Sequence, residues 1–206
     1  MNTNMRKTLV ITALIIAATC AIAQNAPKGS KEQPVATIVT SMGNMTCVLF
    51  PKAAPIGTAN FIGLATGTKD WTDPKTGAKK HGVPLYTNTI FHRVIPEFMI
   101  QGGDPAGEGY GGPGYKFKNE SSPDLKFDKP GRLAYANSGR DTNGSQFFIT
   151  EAAVGLSSAD YTIFGQCDQA SVELVKKIAR VPRDSRDKPR TLVVIKQIKI
   201  DQGEAK

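Results

Sequence analysis

Two stretches decide how this chain is read: FHRVIPEFMIQGGDP at residues 91–105 and LAYANSGRDTNGSQFFIT at residues 133–150. Each consists of apolar runs of strand length cut short by Gly, Pro or Asn, which marks short strands joined by tight turns rather than long helices. The first places one fixed cation, Arg93, two large apolar side chains, Phe98 and Met99, and one amide, Gln101, within nine residues. The second adds Asn137, Gln146 and Phe148. Such a set describes a shallow apolar pocket with a few convergent polar groups, a peptide-binding surface rather than an acid-base site.

Outward from these stretches, residues 69–84 (KDWTDPKTGAKKHGVP) are rich in Lys, Gly and Pro and lack an apolar period, which predicts a long surface loop. Its Trp71 reads as a packing anchor that pins the loop, or as a partner contact. Pro55 opens a helical segment with Ile56, Ala59, Phe61, Ile62, Leu64 and Ala65 as its apolar side and Gly67 as its stop. Residues 35–40 and 45–50 read as a hairpin about a turn at 41–44. Residues 171–180 read as a second helix capped by Ser171. From 192 to 200 alternation returns, with Leu192, Val194, Ile198 and Ile200 on one face. Many short strands and two helices predict a mainly β fold, a closed antiparallel barrel with helices over its ends.

Several chemistries are excluded. Gly107, Gly109 and Gly112 satisfy G-x-G-x-x-G, but Pro113-Gly114 follows where a dinucleotide site would open a helix. Only His81 and His92 are present, neither with ligand spacing, so no metal is implied. There is no G-x-S-x-G for a hydrolase. Basic residues such as Lys75, Lys116, Lys129, Lys176 and Arg186 are scattered, a solvated surface rather than a nucleic-acid footprint.

A pocket without a nucleophile fits a reaction that needs none. Rotation about an X-Pro bond crosses a barrier of about 18 to 20 kcal/mol set by amide resonance. Twisting localises a lone pair on the prolyl nitrogen, so a guanidinium bonded to that nitrogen stabilises the twisted state above either planar one, which is catalysis by differential binding.

At these residues the chain resembles the cyclophilin-type peptidyl-prolyl cis-trans isomerases, as an exported bacterial member. The two stretches look like the family's signature segments, YTIFG at 161–165 resembles the strand that follows them, and the likeness runs from about Val35 to Ile200. The resemblance implies an eight-stranded antiparallel barrel capped by two helices, a monomer that needs no cofactor, and proline-containing polypeptides as partners. Carried over by position, Arg93 matches the catalytic arginine, while Phe98, Met99 and Phe148 match the proline pocket. Gln101 and Asn137 match the groups that hold the substrate backbone, Asn137 through its main chain. Gly109, Ala136, Ser138 and Gln146 match the rim and a side pocket for residues preceding the proline. The chain departs from the family at residues 155–161: Leu156 stands where a Trp is frequent and Tyr161 where a pocket histidine is common. That Trp matters for cyclosporin, the inhibitor associated with the family. His92 reads as a structural hydrogen-bonding group, with a proton-transfer role as the alternative. The rival function is a non-catalytic proline-peptide-binding chaperone or scaffold on the same fold; Arg93 with Phe98, Met99 and Gln101 favours the enzyme.

The N-terminus points to export. Arg6 and Lys7, an apolar run and the triplet Ala21-Ile22-Ala23 have the plan of a signal peptide cleaved after residue 23, followed by a polar lead at 24–34 and the isomerase domain at 35–201. The expected destination is the periplasm; secretion, or a lipid anchor through Cys20, is the alternative. The apolar run is shorter than the roughly 20 residues of a spanning helix, so no membrane-embedded mature form is expected. Cleavage removes two bases and no acid, lowering the formal charge from +8 to +6. Of the three cysteines, Cys47 and Cys167 remain; an oxidising destination permits them to pair, and the alternation about Cys47 fits a small buried hydrophobe.

Overall fold

A computed structural model of the chain describes residues 33–202. The expected signal peptide at 1–23, with Cys20, and the expected polar lead up to residue 32 lie outside the described residues. The element order is β1 (Val35–Thr40), β2 (Gly43–Leu49), α1 (Pro55–Thr66), β3 (Trp71–Thr72), β4 (Lys79–Lys80), β5 (Thr89–Ile95), β6 (Met99–Asp104), β7 (Arg132–Tyr135), β8 (Phe147–Thr150), β9 (Ile163–Cys167), α2 (Gln169–Ala179) and β10 (Val194–Asp201). Eight strands close an antiparallel barrel in the order β1-β10-β5-β6-β8-β7-β9-β2. No described helix is long and apolar enough to cross a membrane.

The first hairpin is tighter than its sequence pattern implies. Thr40 pairs with Gly43, leaving only Ser41-Met42 as the loop. The Thr40 hydroxyl closes the turn by donating to Gly43 O (2.7 Å) and accepting from Met42 N (3.0 Å), so a side chain does the work of two further loop residues.

Helix α1 starts at Pro55 and stops at Gly67, whose φ of +80° is left-handed. Its buried side is the expected one at Phe61, Leu64 and Ala65, with Ile62 packed partly against the core, but not in its first turn. Ile56 and Ala59 face outward, while Thr58, Asn60, Phe61, Leu64 and Ala65 face the barrel. Asn60 is tolerated inside because its amide donates to the Tyr135 hydroxyl and Gly144 O (3.0 Å each) and accepts from the Tyr115 hydroxyl (2.8 Å). No residue of the first turn caps the helix. Glu120, far along the chain, does so by accepting from Ile56 N (2.9 Å) and Gly57 N (2.7 Å). Phe61 packs against Tyr86, Phe147 and Phe164 with centroids 5.0 to 5.5 Å apart, plugging the barrel.

Helix α2 is capped by Asp168, whose carboxylate accepts from Ser171 N (2.7 Å), and not by Ser171 as the sequence implies. The Ser171 hydroxyl instead accepts from Thr46 N (2.7 Å) and fixes the helix to β2.

In β10 the alternation expected from Leu192 fails. Leu192 is exposed and Ile195 is buried, because a register shift sets Val39 against Gln197 and Thr40 against Ile195. The extra residue, Lys196, exchanges the faces on its two sides.

The 69–84 segment contains a small hairpin, Trp71–Thr72 with Lys79–Lys80. Trp71 is buried and donates its indole N–H to Val83 O (2.8 Å), which is the packing-anchor reading.

Cys47 and Cys167 face each other across β2 and β9 and form a disulfide. Both are buried in the core, so the small-hydrophobe environment read from β2 is right, but the thiol is not free. The seam they staple pairs only three residues of each strand.

Candidate active site

Strand alternation builds two apolar clusters from adjacent residues. Ile100, Leu133, Tyr135, Phe147 and Ile149 fill the barrel, whereas Met99, Ala134 and Phe148 belong to a second cluster on its outer wall with Phe98, Ala136, Leu156 and Tyr161. In β5 the register shifts between Phe91 and Arg93, so that His92 is an unpaired bulge residue and Arg93 stands opposite Gln101. The bulge lets Phe91 and Val94 both enter the core while Arg93 is aimed outward. Arg93, Gln101, Phe148 and Ala134 are consequently in register across β5, β6, β8 and β7. A cation, an amide and an aromatic face thus line one row on the outer wall.

Ten residues singled out in the sequence surround one cavity of about 330 Å³: Arg93, Phe98, Met99, Gln101, Gly109, Ala136, Asn137, Phe148, Leu156 and Tyr161. The other two, Ser138 and Gln146, line an adjoining cavity of about 540 Å³ that shares Gln101, Gly109, Ala136 and Asn137 with the first. The floor is braced from behind. Phe127 stacks on Phe148 (5.7 Å), and Tyr161 sets its edge against both rings (5.8 and 5.7 Å). Phe127 is isolated in a polar stretch and gave no sequence signal.

The polar rim is a relay of amides. Gln101 donates to the Gln146 side-chain oxygen (2.9 Å), and Gln146 donates to Gly109 O (3.0 Å) and Gly111 O (2.9 Å). The Asn137 side chain donates to Asp160 O (2.8 Å) and accepts from Gly139 N (3.2 Å), so its amide holds two loops together.

The glycine-rich run that mimics a nucleotide motif wraps a carboxylate of the protein itself. Asp104, fully buried, accepts from the backbone N–H of Ala106 (2.7 Å), Glu108 (3.0 Å), Gly109 (2.6 Å) and Gly111 (3.1 Å). Burial opposes its charge, but the four amides outweigh this and hold the carboxyl below its ordinary range. A side chain at Gly111 would place its Cβ 2.0 Å from the Asp104 Oδ1, so only glycine fits there.

Residues that the sequence did not assign to the pocket close the cavity: His92, Gly107, Glu108, Arg186 and Lys188. Val94 N donates to Asp187 O (2.9 Å), which docks the 182–190 loop on β5. Lys188 donates to Gly107 O (2.9 Å) and approaches the Glu108 carboxylate at 3.8 Å. Among the described residues no cluster of His, Cys, Asp and Glu could hold a metal.

His92 lies beside Arg93 with both ring nitrogens buried and without a protein hydrogen-bond partner, so the hydrogen-bonding role expected for it is not made within the protein. Burial pushes its imidazole below the ordinary value, and the nearby Lys188 and Arg93 reinforce this against the pull of Asp104. The shift favours the neutral ring. Catalytic efficiency is expected to be flat between about pH 6 and pH 8, because the proposed mechanism transfers no proton. A pH profile of kcat/KM checks this; a steep dependence that disappears in His92→Gln would give His92 the proton-transfer role.

An eight-stranded barrel carrying a cation-rimmed apolar pocket on its outer wall defines a receptor for a small apolar side chain with its flanking backbone. Residues 35–200 match the family model described as cyclophilin type peptidyl-prolyl cis-trans isomerase/CLD. The peptidyl-prolyl cis-trans isomerase A of Mycobacterium tuberculosis is 48% identical over 166 residues, covering 80% of this chain and 91% of the relative. The peptidyl-prolyl cis-trans isomerase B of Streptomyces anulatus is 46% identical over 172 residues, covering 82% and 98%. A crystal structure of a Cryptosporidium parvum cyclophilin-type isomerase superposes with a TM-score of 0.69 at 33% identity, covering 82% of this chain and 98% of that one. A second structure of that protein was determined in the presence of the dipeptide Ala-Pro (TM-score 0.68, 33% identity, covering 81% and 98%). The chain belongs to the cyclophilin-type peptidyl-prolyl cis-trans isomerase family, and it is an isomerase of X-Pro bonds.

Proposed function

We propose that this isomerase serves polypeptides that fold outside the cytoplasm, in the periplasm, and that Arg93 supplies its transition-state contact. The proline ring sits on Phe98, Met99 and Phe148, and Gln101 and the Asn137 main chain hold the flanking backbone. Residues preceding the proline enter the adjoining cavity past Ala136, Gly109, Ser138 and Gln146, and Leu156 and Tyr161 form the opposite wall. As the bond twists, the guanidinium bonds the pyramidal prolyl nitrogen. The observation that carries this reading is that Arg93 lies on the rim of the apolar cavity with no ion-pair partner among the described residues, so its donors are free for substrate.

The compartment is supported by the buried Cys47–Cys167 pair, since disulfides persist in oxidising compartments and are rare where glutathione keeps thiols reduced. Cells quenched in acid and treated with an alkylating reagent are expected to yield protein unmodified at both cysteines until a reductant is added, and released with the periplasmic fraction. Protein alkylated at both positions without reductant, or retained with the cytosol, would refute the assignment.

A further inference from the structure

We propose that Glu151 is a positioning residue for substrate binding, acting through the turn that carries Phe98. Ile95 pairs with Met99, so Pro96, Glu97 and Phe98 alone connect β5 to β6. Glu97 has φ of +61°, a left-handed conformation that a non-glycine residue adopts at a cost and keeps only when its surroundings impose it. Glu151 imposes it from both sides of the residue. Its carboxylate accepts from Glu97 N (3.0 Å), and its own backbone N–H donates to Phe98 O (2.9 Å). The second carboxylate oxygen is bound by Arg180, the residue that ends α2. Glu151 is 4% exposed and does not line the cavity, whereas Phe98 does. A buried carboxylate is thus spent on the backbone of a three-residue turn whose last member is part of the pocket floor.

The consequence is kinetic. Phe98 touches the proline ring alike in the planar and twisted states, so misplacing it weakens both equally and raises KM without lowering kcat. This rests on the reading of Phe98 as pocket floor, and the experiment separates the two. With an X-Pro peptide in an NMR exchange assay that resolves KM from kcat, Glu151→Ala is expected to raise KM about five- to tenfold with kcat within about twofold. Glu151→Gln, which keeps an oxygen for Glu97 N, restores KM to within about twofold of wild type. Arg180→Ala, which breaks the ion pair but not the turn contact, leaves KM unchanged while lowering the melting temperature. Glycine takes positive φ without strain, so in a Glu97→Gly background Glu151→Ala raises KM less. Glu151→Leu, which fills the site without an acceptor, gives the same rise in KM and serves if the alanine variant does not fold. An unchanged KM in Glu151→Ala or Glu151→Leu, or an equal rise in Arg180→Ala, overturns the inference. Phe98→Ala with unaltered KM overturns instead the pocket reading on which it rests.

Discussion

Replacing Arg93 by Ala is expected to lower kcat/KM by at least about tenfold and to leave the melting temperature nearly unchanged. The magnitude follows from one interaction. A hydrogen bond to a charged group contributes about 1.5 to 3 kcal/mol net, and each 1.4 kcal/mol or so is tenfold in rate, so a single guanidinium accounts for a factor of about ten to a few hundred. The silence in stability follows from position. Arg93 is exposed, points away from the barrel core and has no acidic partner among the described residues, so its removal opens no cavity and strands no buried charge. A protease-coupled or NMR exchange assay on X-Pro peptides, run beside thermal melts, separates the two quantities. Equal activity in wild type and variant would remove Arg93 from the mechanism and favour the non-catalytic peptide-binding alternative for this site.

The second large effect is on stability. Removing the disulfide with the double substitution Cys47→Ala, Cys167→Ala, or by reduction, is expected to cost about 2 to 4 kcal/mol and to lower the melting temperature by roughly 5 to 15 °C. Two causes act together. The bond closes a span of 120 residues, which restricts the unfolded chain most when the span is long. It also staples the β2–β9 seam, which has only three paired positions to hold the barrel shut. Below the transition kcat/KM should be unaltered, because no residue lining the pocket lies on β2 or β9. Calorimetry of oxidised, reduced and doubly substituted protein decides it: oxidised and reduced chains that melt together would show that the cross-link contributes nothing.

What the sequence made legible is what local chemistry determines. Alternation in β6 and β8 turns Met99, Gln101 and Phe148 to the same, outer side of the barrel wall, so their proximity follows from strand geometry. Pro55 and Gly67 bracket α1 because fixed and positive φ have few other uses. Most of the failures share a cause, being interactions between distant segments. Glu120 caps a helix that lies more than sixty residues upstream, and Lys188 completes a rim built mainly from residues 92–161. Asn60 contradicts the amphipathic pattern of α1 because its partners, Tyr115, Tyr135 and Gly144, belong to other elements. Asp104 gave no local sign that it would organise the glycine-rich loop. The cross-link between Cys47 and Cys167 depends on β2 lying beside β9, a neighbourhood that no residue close to either cysteine specifies.

The pairing of β1 with β10, Val35 opposite Asp201, also sets an order of events. Among the described strands, the first to leave the ribosome has the last as one of its two neighbours. Its other neighbour, β2, forms a local hairpin at once, but the free edge of β1 stays unpaired until residues 194–201 have appeared. Closure is therefore a late, long-range event in vectorial synthesis, preceded by the entropy cost of bringing the two ends of the domain together. Until then the nascent chain is an open sheet with an exposed edge, the state in which a polypeptide can still be threaded onward or captured by a partner.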